Sequence, residues 1–226
     1  MKKLYVIHGW TYTVKPWEKT IDILKHEYKI DVEMLNVPGL TTGSKKVWTI
    51  EEYANWADRN IPKGAVALGH SNGGRILLNL CSEKQDKLSH LILLDAAGVY
   101  EESKKREISR GISKLFAPLK KSALLRKIFH KLVGASDYDR APENMKKTLS
   151  NMLESDKNLD IKKVKVKTSI LWGEKDSVTP LRQAEKMHEL IEGSELLTYK
   201  NWTHAPYIAD PAGLARAINK VMEDEA

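Results

Sequence analysis

Short apolar runs that alternate with helical patterns constrain this chain more than any other feature. Lys3–Ile7, Asp31–Val37, Ala65–Leu68, Leu88–Leu94, Lys167–Trp172 and Leu196–Tyr199 each read as a strand. Helical spacing falls between them. Trp17, Ile21, Leu24 and Tyr28 share one face of 16–28, and 49–60 opens with the capping box Thr49-Ile50-Glu51-Glu52. Further helical patterns run from just after Gly74 through Leu80, from Pro180 to Ile191 and from Pro211 to Met222. Runs such as Leu88–Leu94 are apolar at almost every position, so both faces must be covered. That belongs to a parallel sheet between helix layers and predicts a doubly wound, mostly parallel α/β sheet.

One stretch breaks the alternation. Residues 100–159 hold three helical patterns and no convincing strand, between the fourth and fifth strands. The expected organisation is therefore a core of residues 1–98 and 161–226 with an inserted helical cap of residues 99–160. The length of 226 residues suits this single elaborated domain. The net charge of +7 is concentrated near the insertion, because 101–167 carries 18 Lys plus Arg against 9 Asp plus Glu. Ile112, Leu115, Phe116 and Leu119 form one apolar face there; Leu124, Leu125, Ile128, Phe129 and Leu132 form another, with lysines and arginines beside them. These fit cap helices covering a site, with a solvated basic exterior. Peripheral contact with an anionic membrane, or steering of an anionic substrate, is the sharper alternative. No nucleic-acid module is present, so no nucleic-acid partner is expected.

The single cysteine, Cys81, ends the apolar run Ile76–Cys81 and reads as a buried thiol. One cysteine forms no internal disulfide, and no apolar stretch reaches the ~18 residues of a membrane span or makes a signal-peptide core. A cytoplasmic setting is the expectation. No ligand spacing of histidine and cysteine suggests a metal, and no cofactor is expected.

The chemistry centres on Gly69-His70-Ser71-Asn72-Gly73, which has the form G-x-S-x-G between a strand and a helical pattern. A chain that turns sharply from strand to helix needs small neighbours where its arms cross, and it leaves the serine hydroxyl projecting at the carboxyl edge of the sheet. The helix N-terminus adds partial positive charge at the same spot. A serine hydroxyl needs a base, and a histidine base needs a carboxylate. Among the histidines after Ser71, His90 begins a strand, His130 lies in the basic insertion and His188 lies inside a helix, whereas His204 follows the last strand. For the acid, Asp176 stands three residues beyond Gly173 at the end of the fifth strand, and Asp95 follows the fourth. Both reach the carboxyl edge; Asp176 is the better candidate and Asp95 its rival. Asp210 fits a cap for the last helix, and Glu174 points elsewhere.

With these motifs the chain resembles the α/β-hydrolase superfamily over nearly its whole length. The resemblance implies that fold with a shortened N-terminal edge, since one strand precedes His8 where many relatives begin with an extra antiparallel pair. It implies the order Ser71, Asp176, His204 for a catalytic triad and matches His8-Gly9-Trp10 to the loop that helps form an oxyanion hole. The backbone N–H groups of Trp10 and Asn72 would be its donors, with His8 structural. The implied activity is hydrolysis of an ester or related acyl bond in a small-molecule acyl substrate through an acyl-enzyme. Aminopeptidase, thioesterase, C–C hydrolase and acyltransferase chemistry share this machinery, and a non-catalytic binding protein could keep the fold.

Overall fold

The computed structural model describes residues 1–100 and 141–223. Its centre is a six-stranded sheet of β1 (Lys2–Ile7), β2 (Ile30–Met34), β3 (Ala65–His70), β4 (Leu88–Leu94), β5 (Lys167–Gly173) and β6 (Glu195–Tyr199). The strand order is β2-β1-β3-β4-β5-β6 and every pairing is parallel. The helices are α1 (Glu18–His26), α2 (Ile50–Asn60), α3 (Asn72–Glu83), α4 (Glu143–Ser155), α5 (Leu181–Leu190), the short α6 (Pro206–Ala209) and α7 (Pro211–Glu223).

Alternation of side chains along each strand divides the core into two clusters. Leu4 and Val6 of β1, Ile92 and Leu94 of β4 and Leu171 of β5 join residues of α1 and α7. Tyr5, Ile7, Leu91, Leu93, Ile170 and Trp172 join residues of α2, α3, α4 and α5. The strands are thus apolar on both sides because helices cover both, as the sequence predicts. The capping box of α2 is formed as read: Thr49 Oγ1 accepts the Glu52 N–H, and Glu52 accepts the Thr49 N–H at 2.9 Å.

Two strand ends differ from the sequence reading by two residues or more. β2 ends at Met34 rather than Val37, because the Val37 carbonyl turns to accept the Leu40 and Thr41 N–H groups. β3 runs to His70 rather than Leu68, since Gly69 and His70 still pair with β4. Within residues 99–160, the described helix α4 sinks Met145, Leu149 and Met152 into the same cluster as Tyr53 and Trp10. Thr148 Oγ1 accepts the Trp48 N–H at 2.9 Å, and the Asn144 amide reaches the Ser44 carbonyl at 3.0 Å. Residues 101–140 of the expected cap, and with them most of the basic segment, lie outside the described residues. Among the described residues no helix is long and apolar enough to cross a membrane.

β1 leads outward to β2 while β3 lies on its other side, so the connections reverse between β1 and β3. In an open parallel sheet, the crevice at the carboxyl ends of such a pair is where ligands bind. Trp10 follows β1 and Ser71 follows β3, one on each side of that crevice.

Candidate active site

Ser71 has φ +51° and ψ −117°, a conformation that ordinary residues avoid. Such strain costs on the order of 1–3 kcal/mol and persists only where neighbours enforce it. Here they do. The Ser71 N–H donates to the Leu94 carbonyl at 3.1 Å, and the Ser71 carbonyl accepts from Gly74 at 3.0 Å and Ala97 at 2.9 Å. The glycines are required sterically: a Cβ on Gly73 would lie 2.0 Å from the Ile7 carbonyl oxygen, and one on Gly69 would lie 2.6 Å from the Gly74 Cα. The spacing Gly69-x-Ser71-x-Gly73 is therefore the local packing rule of a strand and a helix crossing at close range.

His204 and Asp176 arrive from the loops after β6 and β5. His204 Nε2 lies 3.0 Å from Ser71 Oγ, and His204 Nδ1 lies 2.7 Å from Asp176 Oδ2. The three side chains form one continuous relay, with the imidazole between hydroxyl and carboxylate. Asp176 is buried, which pushes its carboxyl up; hydrogen bonds from His204, the Thr179 hydroxyl and the Val178 N–H outweigh burial and hold it below the usual carboxylate range.

Asp95, the rival acid, lies one strand away. It too has positive φ, +44°, and its side chain is fully buried. Its Oδ1 accepts the Gly173 N–H at 2.8 Å, and Oδ2 has no hydrogen-bond partner among the described residues. Burial, with the nearby Asp176 adding to it and the Gly173 N–H opposing it, raises Asp95 well above the ordinary carboxylate range. The histidine contact belongs to Asp176 and not to Asp95.

Trp10 and Asn72 are both buried beside the serine. A Cβ on Gly9 would lie 3.1 Å from the Ser71 Cβ, which fixes how closely the Gly9-Trp10 loop passes the hydroxyl. Asn72 is the first residue of α3. His8 Nδ1 donates to the Gly9 carbonyl at 2.7 Å and Nε2 accepts from Thr41 Oγ1 at 3.1 Å; burial lowers its pKa, consistent with a neutral ring shaping this loop.

Two other histidines after Ser71 are occupied elsewhere. His90 Nε2 meets Ser169 Oγ at 3.0 Å inside the sheet, and His188 is exposed beside Ser194; His130 lies outside the described residues. Asp210 Oδ1 accepts the Gly213 N–H at 2.9 Å at the start of α7, the capping role read from sequence. Glu174 bonds Thr198 at the surface. Cys81 is buried, and burial pushes its thiol up to about 12.

Four contributors escape sequence reasoning. Arg75, one turn into α3, pairs with Asp156 through Nε at 2.7 Å and Nη2 at 2.9 Å, both side chains being buried, and its Nη1 reaches the Asn72 amide oxygen at 2.5 Å. The sequence signal was a charge just before the apolar run Ile76–Leu78; its partner lies 81 residues away. Thr179 Oγ1 bonds Asp176 Oδ2 at 2.7 Å. His70 Nε2 donates to the His204 carbonyl at 2.8 Å, and burial followed by the field of His204 lowers His70 to about 3, which keeps it neutral. Tyr207 on α6 stacks on Trp17 with ring centroids 4.2 Å apart and meets the His70 edge at 5.1 Å, which braces the His204 loop.

Comparison with known proteins agrees with this architecture. A family model described as alpha/beta hydrolase fold matches residues 3–116, and one described as TAP-like protein matches residues 149–224. A pimeloyl-[acyl-carrier protein] methyl ester esterase of Neisseria meningitidis is 24% identical over 99% of this chain and 94% of its own length. Among solved structures, an esterase from Exiguobacterium antarcticum superposes with a TM-score of 0.68 at 19% identity, covering 99% of this chain and 92% of that one. A thermophilic esterase from Thermogutta terrifontis gives 0.67 at 18% identity, covering 99% and 90%. With the serine turn, the all-parallel sheet and a family match over half its length, the chain belongs to the α/β-hydrolase fold family and is a hydrolytic enzyme.

Proposed function

We propose that the protein is a carboxylic ester hydrolase that works through an acyl-enzyme on Ser71. The observation that carries this reading is the 3.0 Å contact of His204 Nε2 with Ser71 Oγ, continued through Nδ1 to a carboxylate held below its usual range. His204 takes the Ser71 proton as Oγ attacks the ester carbonyl, then returns it to the departing alcohol. Asp176 fixes the tautomer and stabilises the imidazolium that forms. Water, activated by the same His204, hydrolyses the acyl-enzyme and regenerates Ser71. The backbone N–H groups of Trp10 and Asn72 hold the oxyanion; one such donor contributes about 3–4 kcal/mol in comparable enzymes. The substrate class is an alkyl ester of an acyl chain, supported by the methyl ester activity that names the Neisseria relative.

The test is hydrolysis of p-nitrophenyl butyrate by wild type and Ser71→Ala. A loss of at least ~10³-fold in kcat is expected for a residue that acts as a unit with its triad. Equal rates would refute Ser71 as nucleophile. A panel of methyl esters, thioesters and aminoacyl amides then ranks the acyl chemistries, with methyl esters expected to be turned over fastest.

A further inference from the structure

Asp176 receives more hydrogen bonds than the orientation of one imidazole requires. Oδ1 accepts the Val178 N–H at 2.6 Å and the Thr179 N–H at 3.0 Å; Oδ2 accepts from His204 Nδ1 at 2.7 Å and from the Thr179 hydroxyl at 2.7 Å. An ionised carboxylate offers about four lone-pair sites, so all are filled, and Thr179 fills two of them. The Thr179 hydroxyl has a second acceptor as well: Oγ1 lies 3.0 Å from the main-chain carbonyl oxygen of Asp95, and the same Oγ1 stands 3.2 Å from His204 Nδ1. A hydroxyl has one hydrogen, which cannot serve both acceptors fully at once. The Asp95 carbonyl is held there by a backbone at φ +44° and by the Asp95 side chain on the Gly173 N–H. Thr179 itself is buried, with its own carbonyl accepting the Trp172 indole N–H at 2.9 Å, so no water is needed to explain either contact.

We propose that Thr179 is a positioning residue that sets how tightly the Asp176–His204 pair holds a proton, by swinging its one hydroxyl hydrogen between Asp176 Oδ2 and the Asp95 carbonyl. The proposal rests on the triad reading above. With the hydrogen on Asp176, the carboxylate's charge is spread over four donors. When His204 takes the Ser71 proton, the hydrogen turns to the Asp95 carbonyl, and Oδ2 is freed to grip the imidazolium more strongly. The swing is a rotation about the Cβ–Oγ bond; no covalent bond is made or broken. The acceptor it turns to is already in place, so the second state leaves no buried hydroxyl unpaired.

The readout is the acid limb of the pH profile of kcat/KM for p-nitrophenyl butyrate. Thr179→Val keeps the shape and removes the hydroxyl. The carboxylate is then left with three donors in every state, the pair holds its proton more tightly, and the limb moves up by roughly half a pH unit or more, as expected when a hydrogen bond to a charged group is lost. Thr179→Ser restores the hydroxyl and returns the limb to its wild-type position. The titratable groups that face the pair are His70 at the end of β3 and the Asp95 side chain after β4; behind them, His8 after β1 acts on His70 and Tyr207 on α6 faces Asp95. All are unchanged in these variants, so a shift reports Thr179. If Thr179→Val does not fold, Thr179→Ala is read by the same profile. Each preparation is first titrated with a fluorophosphonate. Failure of the wild type to label at Ser71 would sink the triad reading itself. A labelled wild type whose acid limb coincides with that of the folded hydroxyl-free variant overturns the Thr179 proposal alone, as does a Thr179→Ser limb shifted like that of valine.

Discussion

Ser71 is held by neighbours within a few residues along the chain and by the two strands that flank β3, whereas His204 and Asp176 are held by loops that meet more than a hundred residues later. On the serine side, strain at φ +51° is enforced by Gly69, Gly73 and Gly74, none of which has room for a Cβ, and by backbone hydrogen bonds to Leu94 and Ala97. On the acid and histidine side there is little crowding and much hydrogen bonding: Thr179, Val178, His70 and the Trp17–Tyr207 stack each fix one degree of freedom. The difference shows two ways to make a reactive geometry rigid. A residue in a disallowed turn is fixed by sterics, and side chains that must rotate into place are fixed by saturating their donors and acceptors.

The sharpest way to break this comparison is to ask which carboxyl serves His204. Asp176→Asn should lower kcat for p-nitrophenyl butyrate by about 10⁴-fold, because the amide selects the wrong imidazole tautomer while leaving the geometry in place. Asp95→Asn should leave kcat within about one order of magnitude, since Asp95 makes no contact with His204. A reversed pair of results would transfer the acid role to Asp95.

A smaller effect tests whether the serine side needs support from α4. Asp156→Ala strands the buried Arg75 charge and should cost about 3–5 kcal/mol in urea unfolding, the usual penalty for breaking a buried ion pair. Replacing both partners together, Arg75→Met with Asp156→Leu, should recover most of that stability. If the double variant is as unstable as the single one, the loss does not come from the stranded charge.

The smallest effect separates the two aspartates by pH. Asp95 is raised in the folded state, so the folded protein binds its proton more tightly than the unfolded chain does. Its stabilising contribution is complete below the ordinary carboxylate value of about 4 and is lost as pH rises through the raised value. Asp176 is lowered, so its contribution is present above about pH 4 and is lost as pH falls through the lowered value. The stability of Asp95→Asn relative to wild type should therefore increase as pH rises, measured by urea midpoints from about pH 4 to 8. A difference independent of pH would mean that Asp95 is not raised in the folded state.

Much of this site was readable from residue order. Gly69, Ser71 and Gly73 declare a strand-to-helix turn because only small residues fit where the arms cross, and His204 and Asp176 each follow a strand, which places them on the same edge of the sheet. Residue order favoured Asp176 over Asp95 but did not carry the contact that separates them. Both follow buried strands, and what separates them is which side chain reaches the imidazole and which is left with a bare oxygen atom. Arg75 with Asp156, and Thr179 with the Asp95 carbonyl, were also invisible, since a hydrogen bond between distant residues leaves no periodic trace.

By itself the sequence determined the layered α/β architecture, through strands apolar on both faces, and the strained serine turn, through glycine spacing. Both are consequences of local sterics and burial, which act over a few residues. Tertiary structure decided which carboxyl reaches the histidine, which hydroxyl it shares and how the histidine loop is braced, because those depend on hydrogen-bond partners that only the folded sheet brings within about 3 Å of one another.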